Sequence, residues 1–253
     1  MRIVVTGAAG TLGSAAIPRL VEDHHDVIGL DVRRGTADCT WVIADIHDAA
    51  ATSAAIEHAD LIIHAAAFHG IHLAERRRRE FYELNVLGSF NVWEAAVEHG
   101  VRGVVFSSTM GVYGESREPA GDGDVAFVDE ELPLRPTDVY GWTKVVGENL
   151  CAFHSRASGI PSIGLRFGMF VPEPFFRYGI RLLYGGVHEA DVADAVVAAV
   201  DRLAAGQRGF QALNVESPLP FTADDARGLR DDPLTVLDEH WPGASDLLRG
   251  RGV

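Results

Sequence analysis

Met1-Arg2-Ile3-Val4-Val5-Thr6-Gly7-Ala8-Ala9-Gly10-Thr11-Leu12-Gly13 opens the chain with a short apolar run, a glycine turn and the start of an amphipathic stretch. Glycine holds the first, fourth and seventh places of the turn. A strand that turns at once into a helix leaves the helix's first N–H groups unpaired, and their dipole favours an anion. Glycines at that turn let a pyrophosphate approach closely. The spacing is G-x-x-G-x-x-G rather than the commoner G-x-G-x-x-G. Alone it also describes an ordinary strand-to-helix turn, so its weight depends on the sequence around it.

Outward from this turn the same rhythm repeats. Apolar runs at 3–5, 27–30, 41–44, 61–64, 103–107 and 162–166 predict strands, and amphipathic stretches at about 11–23, 49–58, 73–99, 139–158 and 191–204 predict helices. Short apolar strands separated by helices belong to a parallel sheet covered on both faces. The expected fold is therefore α/β, a Rossmann-type doubly wound sheet. Residues 115–136, rich in Gly, Pro, Asp and Glu, read as a long surface loop. Beyond Arg166 the rhythm weakens and prolines punctuate the chain. The expected division is a dinucleotide-binding domain over 1–166, and a small C-terminal substrate lobe over 167–253 whose helix at 189–205 packs back on the first domain.

Composition narrows the partners. The 253 residues are 47% apolar, enough to bury a substantial core. A formal charge of −14 argues against nucleic acid and anionic membranes, both of which call for a basic face. Two cysteines, Cys39 and Cys151, are too few for a disulfide framework and read as free structural thiols in a reducing compartment. With no apolar segment of signal or membrane length at the start, a cytoplasmic location is expected. The histidines show no metal-binding spacing, so no metal is expected. Glu75, Glu80 and Glu83 surround Arg76-Arg77-Arg78-Arg79, which reads as a solvated, ion-paired helix face.

Asp31 ends the second predicted strand, where a carboxylate accepts hydrogen bonds from both adenine-ribose hydroxyls and so favours NAD. Arg33 and Arg34 follow it and could instead hold a 2′-phosphate, which leaves NADP as the lesser alternative. Asp45 and Ile46 end the third strand, near the adenine position. Of 22 basic residues 21 are Arg, and the one Lys, Lys144, lies four residues after Tyr140 in a helical stretch. That spacing puts phenol and ammonium on one face, one turn apart. A phenol titrating near pH 10 is a poor base at pH 7 until a fixed cation favours its phenolate. A compact ammonium can do this and also bond ribose hydroxyls, which a planar guanidinium does less well. Val104-Val105-Phe106-Ser107-Ser108-Thr109 reads as a buried strand ending in hydroxyls at the sheet's carboxyl edge, although such a cluster is also a common turn signal.

Together these segments, with His64-Ala65-Ala66-Ala67, Leu84-Asn85-Val86-Leu87-Gly88, Val112-Tyr113-Gly114 and Leu165-Arg166-Phe167, resemble the extended short-chain dehydrogenase/reductases. The likeness is to the NAD-dependent epimerase/dehydratase branch and covers roughly residues 1–205. It implies an enzyme in which Tyr140 is the acid/base, Lys144 binds the nicotinamide ribose and tunes Tyr140, and Thr109 fixes the reacting oxygen. It implies cofactor contacts from Gly7, Gly10, Thr11, Leu12, Gly13, Asp31, Asp45, Ile46, Ala65, Ala66, Asn85, Ser107, Tyr140 and Lys144. It also implies a homodimer joined through the helices at 73–99 and 139–158; apolar Val86, Phe90 and Val97 suit either a core face or such an interface.

The pattern departs from nucleotide-sugar members in the run 166–172, where their Asn is missing. In that run, and in Arg181 followed by Asp191, the chain looks more like the compact uronate dehydrogenases, in which an Arg near this position grips a carboxylate. Their Asn-His pair after the catalytic hydroxyl reads Met110-Gly111 here. Expected substrate contacts are His69, Thr109, Met110, Arg177 and Arg181. The resulting expectation is NAD-dependent hydride transfer at a hydroxyl carbon of a sugar, sugar acid or nucleotide sugar. The alternatives are a nucleotide-sugar 4-epimerase or dehydratase that retains its NAD, and a non-catalytic NAD-binding regulator.

Overall fold

The computed structural model describes residues 1–118, 121, 126–171, 173–183, 185–222 and 224–251. The chain divides into two compact units, 1–115 with 129–217, and 116–128 with 218–253. The first is a doubly wound sheet. β1 (Arg2–Thr6) leads into α1 (Thr11–Glu22), followed by β2 (Asp26–Asp31), β3 (Thr40–Ile43), α2 (Ala49–Ile56) and β4 (Leu61–His64). A helix then runs unbroken through α3 (Arg78–Phe81), a π-helical stretch Tyr82–Gly88 and α4 (Ser89–Glu98). β5 (Val104–Thr109), α5 (Val139–Ala157), β6 (Ser162–Phe167), α6 (Phe175–Leu182), α7 (Glu189–Ala204) and β7 (Phe210–Val215) complete the unit. All seven strands are parallel, in the order β3-β2-β1-β4-β5-β6-β7.

Side chains alternate across a strand, so β1 sends Ile3 and Val5 to one face and Val4 to the other. The Ile3 face packs on α1 through Leu12, Ala16, Ile17 and Leu20, and on α7 through Val192, Val196 and Val200. The Val4 face packs on α2 and α4 through Ile56, Val92 and Trp93, and on α5 through Cys151. Strand order reverses between β1 and β4, which opens a crevice at their carboxyl ends.

Two expectations shift. The helix expected from residue 73 begins at Arg78, because the preceding segment folds as a short 3-10 turn, Gly70–His72, and Glu80 accepts the Arg77 N–H at 2.9 Å. The expected boundary at Arg166 falls inside the first unit, since β7 pairs with β6 from Ser162↔Phe210 to Phe167↔Val215. Gln211 and Asn214 break the apolar pattern of that strand, so it carries no clear period. The helix expected at 189–205 is α7, packed on the sheet and on α1.

The loop expected at 115–136 lies partly outside the described residues; the described part holds a single 3-10 turn, Gly114–Arg117. The second unit contains α8 (Asp225–Asp231), α9 (Pro233–His240) and α10 (Ala244–Arg249). Among the described residues, no helix is long and apolar enough to cross a membrane.

Candidate active site

The glycine turn forms a cradle at the crevice. Gly7 takes φ +69°, and a Cβ on it would lie 2.6 Å from Ala66 N, so only glycine lets β1 turn this close to the segment after β4. A Cβ on Gly13 would stand 2.3 Å from Ala8 O, which makes room for α1 to pack on the turn. Gly10 is the N-cap of α1 and offers no side-chain cap, and no acid occupies the first turn. The amides at Thr11, Leu12 and Gly13 thus form the positive end of a helix without a neutralising side chain. Asp31 stands at the lip: Oδ2 accepts from Ala9 N at 3.0 Å and Oδ1 from Arg33 N at 3.2 Å. Arg33 folds back and donates to Ala9 O at 2.7 Å, while Arg34 is exposed. An open helix N-terminus beside a strand-end carboxylate fits a diphosphate with a ribose diol next to it.

The other expected cofactor residues are placed unevenly around this cradle. Ala65 and Ala66 follow β4, and both donate their N–H to Thr6 Oγ1 at 3.2 Å. Asp45 is half-exposed and bonds the His47 N–H and ring. Ile46 is turned into the core, where it packs so tightly on Gly88 that a Cβ there would lie 2.6 Å from its Cδ1. Asn85, expected on the cofactor side, is buried. Its Oδ1 accepts from Phe68 N at 2.8 Å, and its Nδ2 donates to Phe68 O at 2.8 Å and to Thr143 Oγ1 at 2.9 Å. Both ends of the amide are therefore engaged within the protein, tying the loop after β4 to α5.

α5 begins at Asp138, whose carboxylate accepts from Gly141 N at 2.7 Å. A Cβ on Gly141 would stand 2.8 Å from Gly111 O, so the first turn of α5 lies directly against the turn after β5. This contact brings Tyr140 to Thr109, the last residue of β5. Burial pushes the Tyr140 phenol up to about 12, while a hydrogen bond with Thr109 pulls it back. Thr109 Oγ1 accepts from Gly111 N at 3.1 Å. Lys144 is buried, donates to Ser107 O at 2.6 Å, and lies 5.0 Å above the Phe106 ring and 5.9 Å from the Tyr140 ring centre. Burial lowers its ammonium to about 8, against the opposing influence of Cys151 and Glu148. Ser107 thus meets Lys144 through its carbonyl rather than its hydroxyl.

Substrate-side expectations also divide. Gly70 backs onto Tyr140, so the loop carrying His69 borders the phenol, and burial followed by His72 and Lys144 lowers His69 to about 4. Met110 is buried in the turn after Thr109. Arg181 does not present a free fork: its Nε and Nη2 donate to Glu173 at 2.6 and 2.9 Å. Arg177 is exposed on the same short helix. In the Arg76–Arg79 run, Arg76 and Arg77 are ion-paired to Glu80 and Arg79 to Glu83.

One group of site neighbours is only faintly signalled in the sequence. Arg166 on β6 grips Glu148 on α5 in a fork, Nε to Oε1 at 2.9 Å and Nη2 to Oε2 at 2.7 Å, with both side chains almost fully buried. Glu148 also accepts from Ser108 Oγ at 2.6 Å, and Arg166 reaches Tyr113 OH at 2.7 Å, which in turn donates to Asn214 on β7. Glu148 lies one helical turn beyond Lys144, so this network braces the strand end and the helix face that carry the candidate chemistry. A Tyr-Lys spacing followed by an acid four residues later, with a lone Arg in an otherwise apolar strand, is the only hint the sequence holds.

The family model described as "NAD dependent epimerase/dehydratase family" matches residues 3–172. A uronate dehydrogenase of Pseudomonas putida is 32% identical over 181 residues, covering 68% of this chain and 62% of that protein. A UDP-glucose 4-epimerase of Corynebacterium glutamicum is 28% identical over 215 residues, covering 82% of this chain and 60% of that protein. The matched stretch thus spans less than two thirds of either relative. Among solved structures, a mutated uronate dehydrogenase superposes with a TM-score of 0.73 at 29% identity, over 87% of this chain and 75% of that one.

Proposed function

The chain belongs to the NAD dependent epimerase/dehydratase family, and on that premise we propose that it oxidises a hydroxyl carbon of a free sugar or sugar acid with NAD. The observation that carries the reading is the convergence of Tyr140, Lys144 and Thr109 at the carboxyl edge of β5, beside the uncapped N-terminus of α1. The amides of α1 and the Gly7–Gly10 turn would hold the diphosphate, Asp31 the adenine ribose, and Lys144 the nicotinamide ribose. Asp31 and the engagement of Arg33 with Ala9 O favour NAD over NADP. When bound, NAD supplies the hydride acceptor.

The chain's own residues handle the proton. Thr109 donates to or accepts from the substrate oxygen and fixes its direction, and Tyr140 takes the hydroxyl proton. Burial alone works against this, since it raises the phenol to about 12. The Lys144 ammonium, still charged at pH 7 and 5.9 Å from the Tyr140 ring centre, opposes this by favouring the phenolate. The proton balance closes with the alcohol becoming a carbonyl, NAD becoming NADH and one proton released.

A free sugar or sugar acid is favoured over a nucleotide sugar by the turn after β6. The run Gly168-Met169-Phe170-Val171 that follows the strand holds no Asn, and a Cβ on Gly168 itself would stand 2.5 Å from Gly185 O. A retained-NAD epimerase is the second reading, supported by the UDP-glucose 4-epimerase relative. The protein is further proposed to act in the cytoplasm as a homodimer, through the apolar faces that Leu87, Phe90, Trp142 and Phe153 expose on the two long helices.

The test mixes protein and NAD with aldoses, uronates and nucleotide sugars and follows absorbance at 340 nm. Net dehydrogenation gives a stoichiometric rise. An epimerase gives none but shows tightly held dinucleotide in native mass spectrometry, and a regulator gives no turnover with any sugar. Tyr140→Phe is expected to abolish turnover while NADH affinity stays within twofold; unchanged turnover refutes the assignment of the base.

A further inference from the structure

Behind the cradle lies a row of buried polar groups that the proposed chemistry does not use. Thr6 ends β1, and its Oγ1 accepts from Ala65 N and Ala66 N. Its hydroxyl also meets His64 Nδ1 at 2.7 Å, and His64 Nε2 meets Ser89 Oγ at 2.8 Å. Ser89 in turn donates to the main-chain carbonyl of Asn85. A hydroxyl has one proton, so the directions are fixed. Ser89 spends its proton on Asn85 and must accept from His64 Nε2–H, which leaves Nδ1 to accept from Thr6. Thr6, His64 and Ser89 are all buried, and this order satisfies every group in the row.

The row ends where the catalytic helix is held. The Asn85 amide reaches Thr143 Oγ1 at 2.9 Å, and Thr143 donates to Tyr140 O at 2.7 Å. Asn85 sits within the π-helical stretch Tyr82–Gly88, a winding that alters which carbonyls point inward and that often marks functional sites. We infer that His64 is a positioning residue that registers the cofactor cradle, at Thr6, Ala65 and Ala66, with the helical turn that carries Tyr140 and Lys144. The inference rests on the redox reading of this site. Burial, and then the nearby Lys144, lower His64 to about 3, so the ring is neutral at pH 7 and keeps this proton order.

The two ends of the row can be cut separately. Thr6→Val keeps the shape but releases Ala66 and leaves Ala65 N only the Thr6 main-chain carbonyl at 3.1 Å, and is expected to raise the NADH dissociation constant roughly tenfold, the loss of about one hydrogen bond's worth of binding. Ser89→Ala releases Asn85, and is expected to leave NADH affinity within about twofold while slowing single-turnover hydride transfer roughly tenfold. Thr6→Ser retains the hydroxyl and is expected to behave as wild type. Nitrogen-15 NMR of the wild-type imidazole is expected to show a neutral His64 protonated at Nε2, with a slowly exchanging N–H that becomes fast in Ser89→Ala.

An Nδ1-protonated ring overturns the inference. So does a Ser89→Ala variant whose NADH affinity and turnover fall together, in proportion to lost stability. If no sugar is oxidised by any variant, the redox reading fails by itself. The tautomer and the split in NADH affinity between Thr6→Val and Ser89→Ala then still decide the role of His64.

Discussion

Replacing Lys144 with methionine is expected to make the protein more stable at pH 7 while removing its activity. Burial moves the ammonium from an ordinary 10.5 to about 8. At about 1.4 kcal/mol per pH unit, keeping the charge in the folded state costs about 3 kcal/mol. The bond to Ser107 O and the Phe106 ring return about 1–2 kcal/mol, and methionine fills the space of the stem, so the net gain at pH 7 is about 1–2 kcal/mol. The sign follows from proton counts. Unfolded Lys holds its proton up to 10.5 and folded Lys144 only to about 8, so between these values the unfolded chain binds more protons. Wild-type stability therefore climbs with pH across that window through this group, and the methionine variant lacks the rise.

Urea unfolding of both proteins at pH 7 and near pH 10 measures this directly. Methionine is expected to be the more stable at pH 7 and the less stable near pH 10, where a neutral lysine still bonds Ser107 O. Turnover should fall by about 10²–10⁴. A methionine variant that is less stable at pH 7, or a difference that does not change with pH, refutes the assignment of Lys144 as a charge held at the expense of stability.

Asp31→Ala is expected to weaken NADH about tenfold while sparing NADPH, read by fluorescence titration of both; equal losses would remove Asp31 from the ribose site. Arg166→Met leaves Glu148 buried without its partner and should cost about 3–5 kcal/mol in urea unfolding, most of it recovered when Glu148→Leu is added. A single variant within 1 kcal/mol of wild type would show the pair to be far better hydrated than its burial implies. Phe90→Glu combined with Phe153→Glu should convert a dimer to a monomer in sedimentation equilibrium, and an unchanged mass would place the interface elsewhere.

The glycine turn, the order of strands and helices through β6, and the Tyr140-Lys144 spacing were all legible in the sequence. Each is a short-range property: a helix places residues four apart on one face, a strand alternates its sides, and a glycine at Gly7 answers to the backbone beside it. The charged run Arg76–Arg79 was legible for the same reason, its partners being three and four residues away. β7 was not, because Gln211 and Asn214 interrupt its pattern and only pairing with β6 makes it a strand.

The tertiary structure alone decided what each candidate side chain touches. Arg181 had the chemistry of an anion anchor, but Glu173 occupies its fork. Asn85 had the chemistry of a cofactor ligand, but Phe68 and Thr143 engage its amide. Glu148 with Arg166, Tyr113 with Asn214, and the row from Thr6 through His64 to Ser89 join residues 18 to 101 positions apart. Partners at such separations are chosen by packing of the sheet against its helices, which leaves no period in the sequence. Sequence therefore determined which chemical groups the chain could bring to the crevice, and the fold determined which of them remain available there, because a buried polar group must satisfy its hydrogen bonds with whatever neighbour packing supplies.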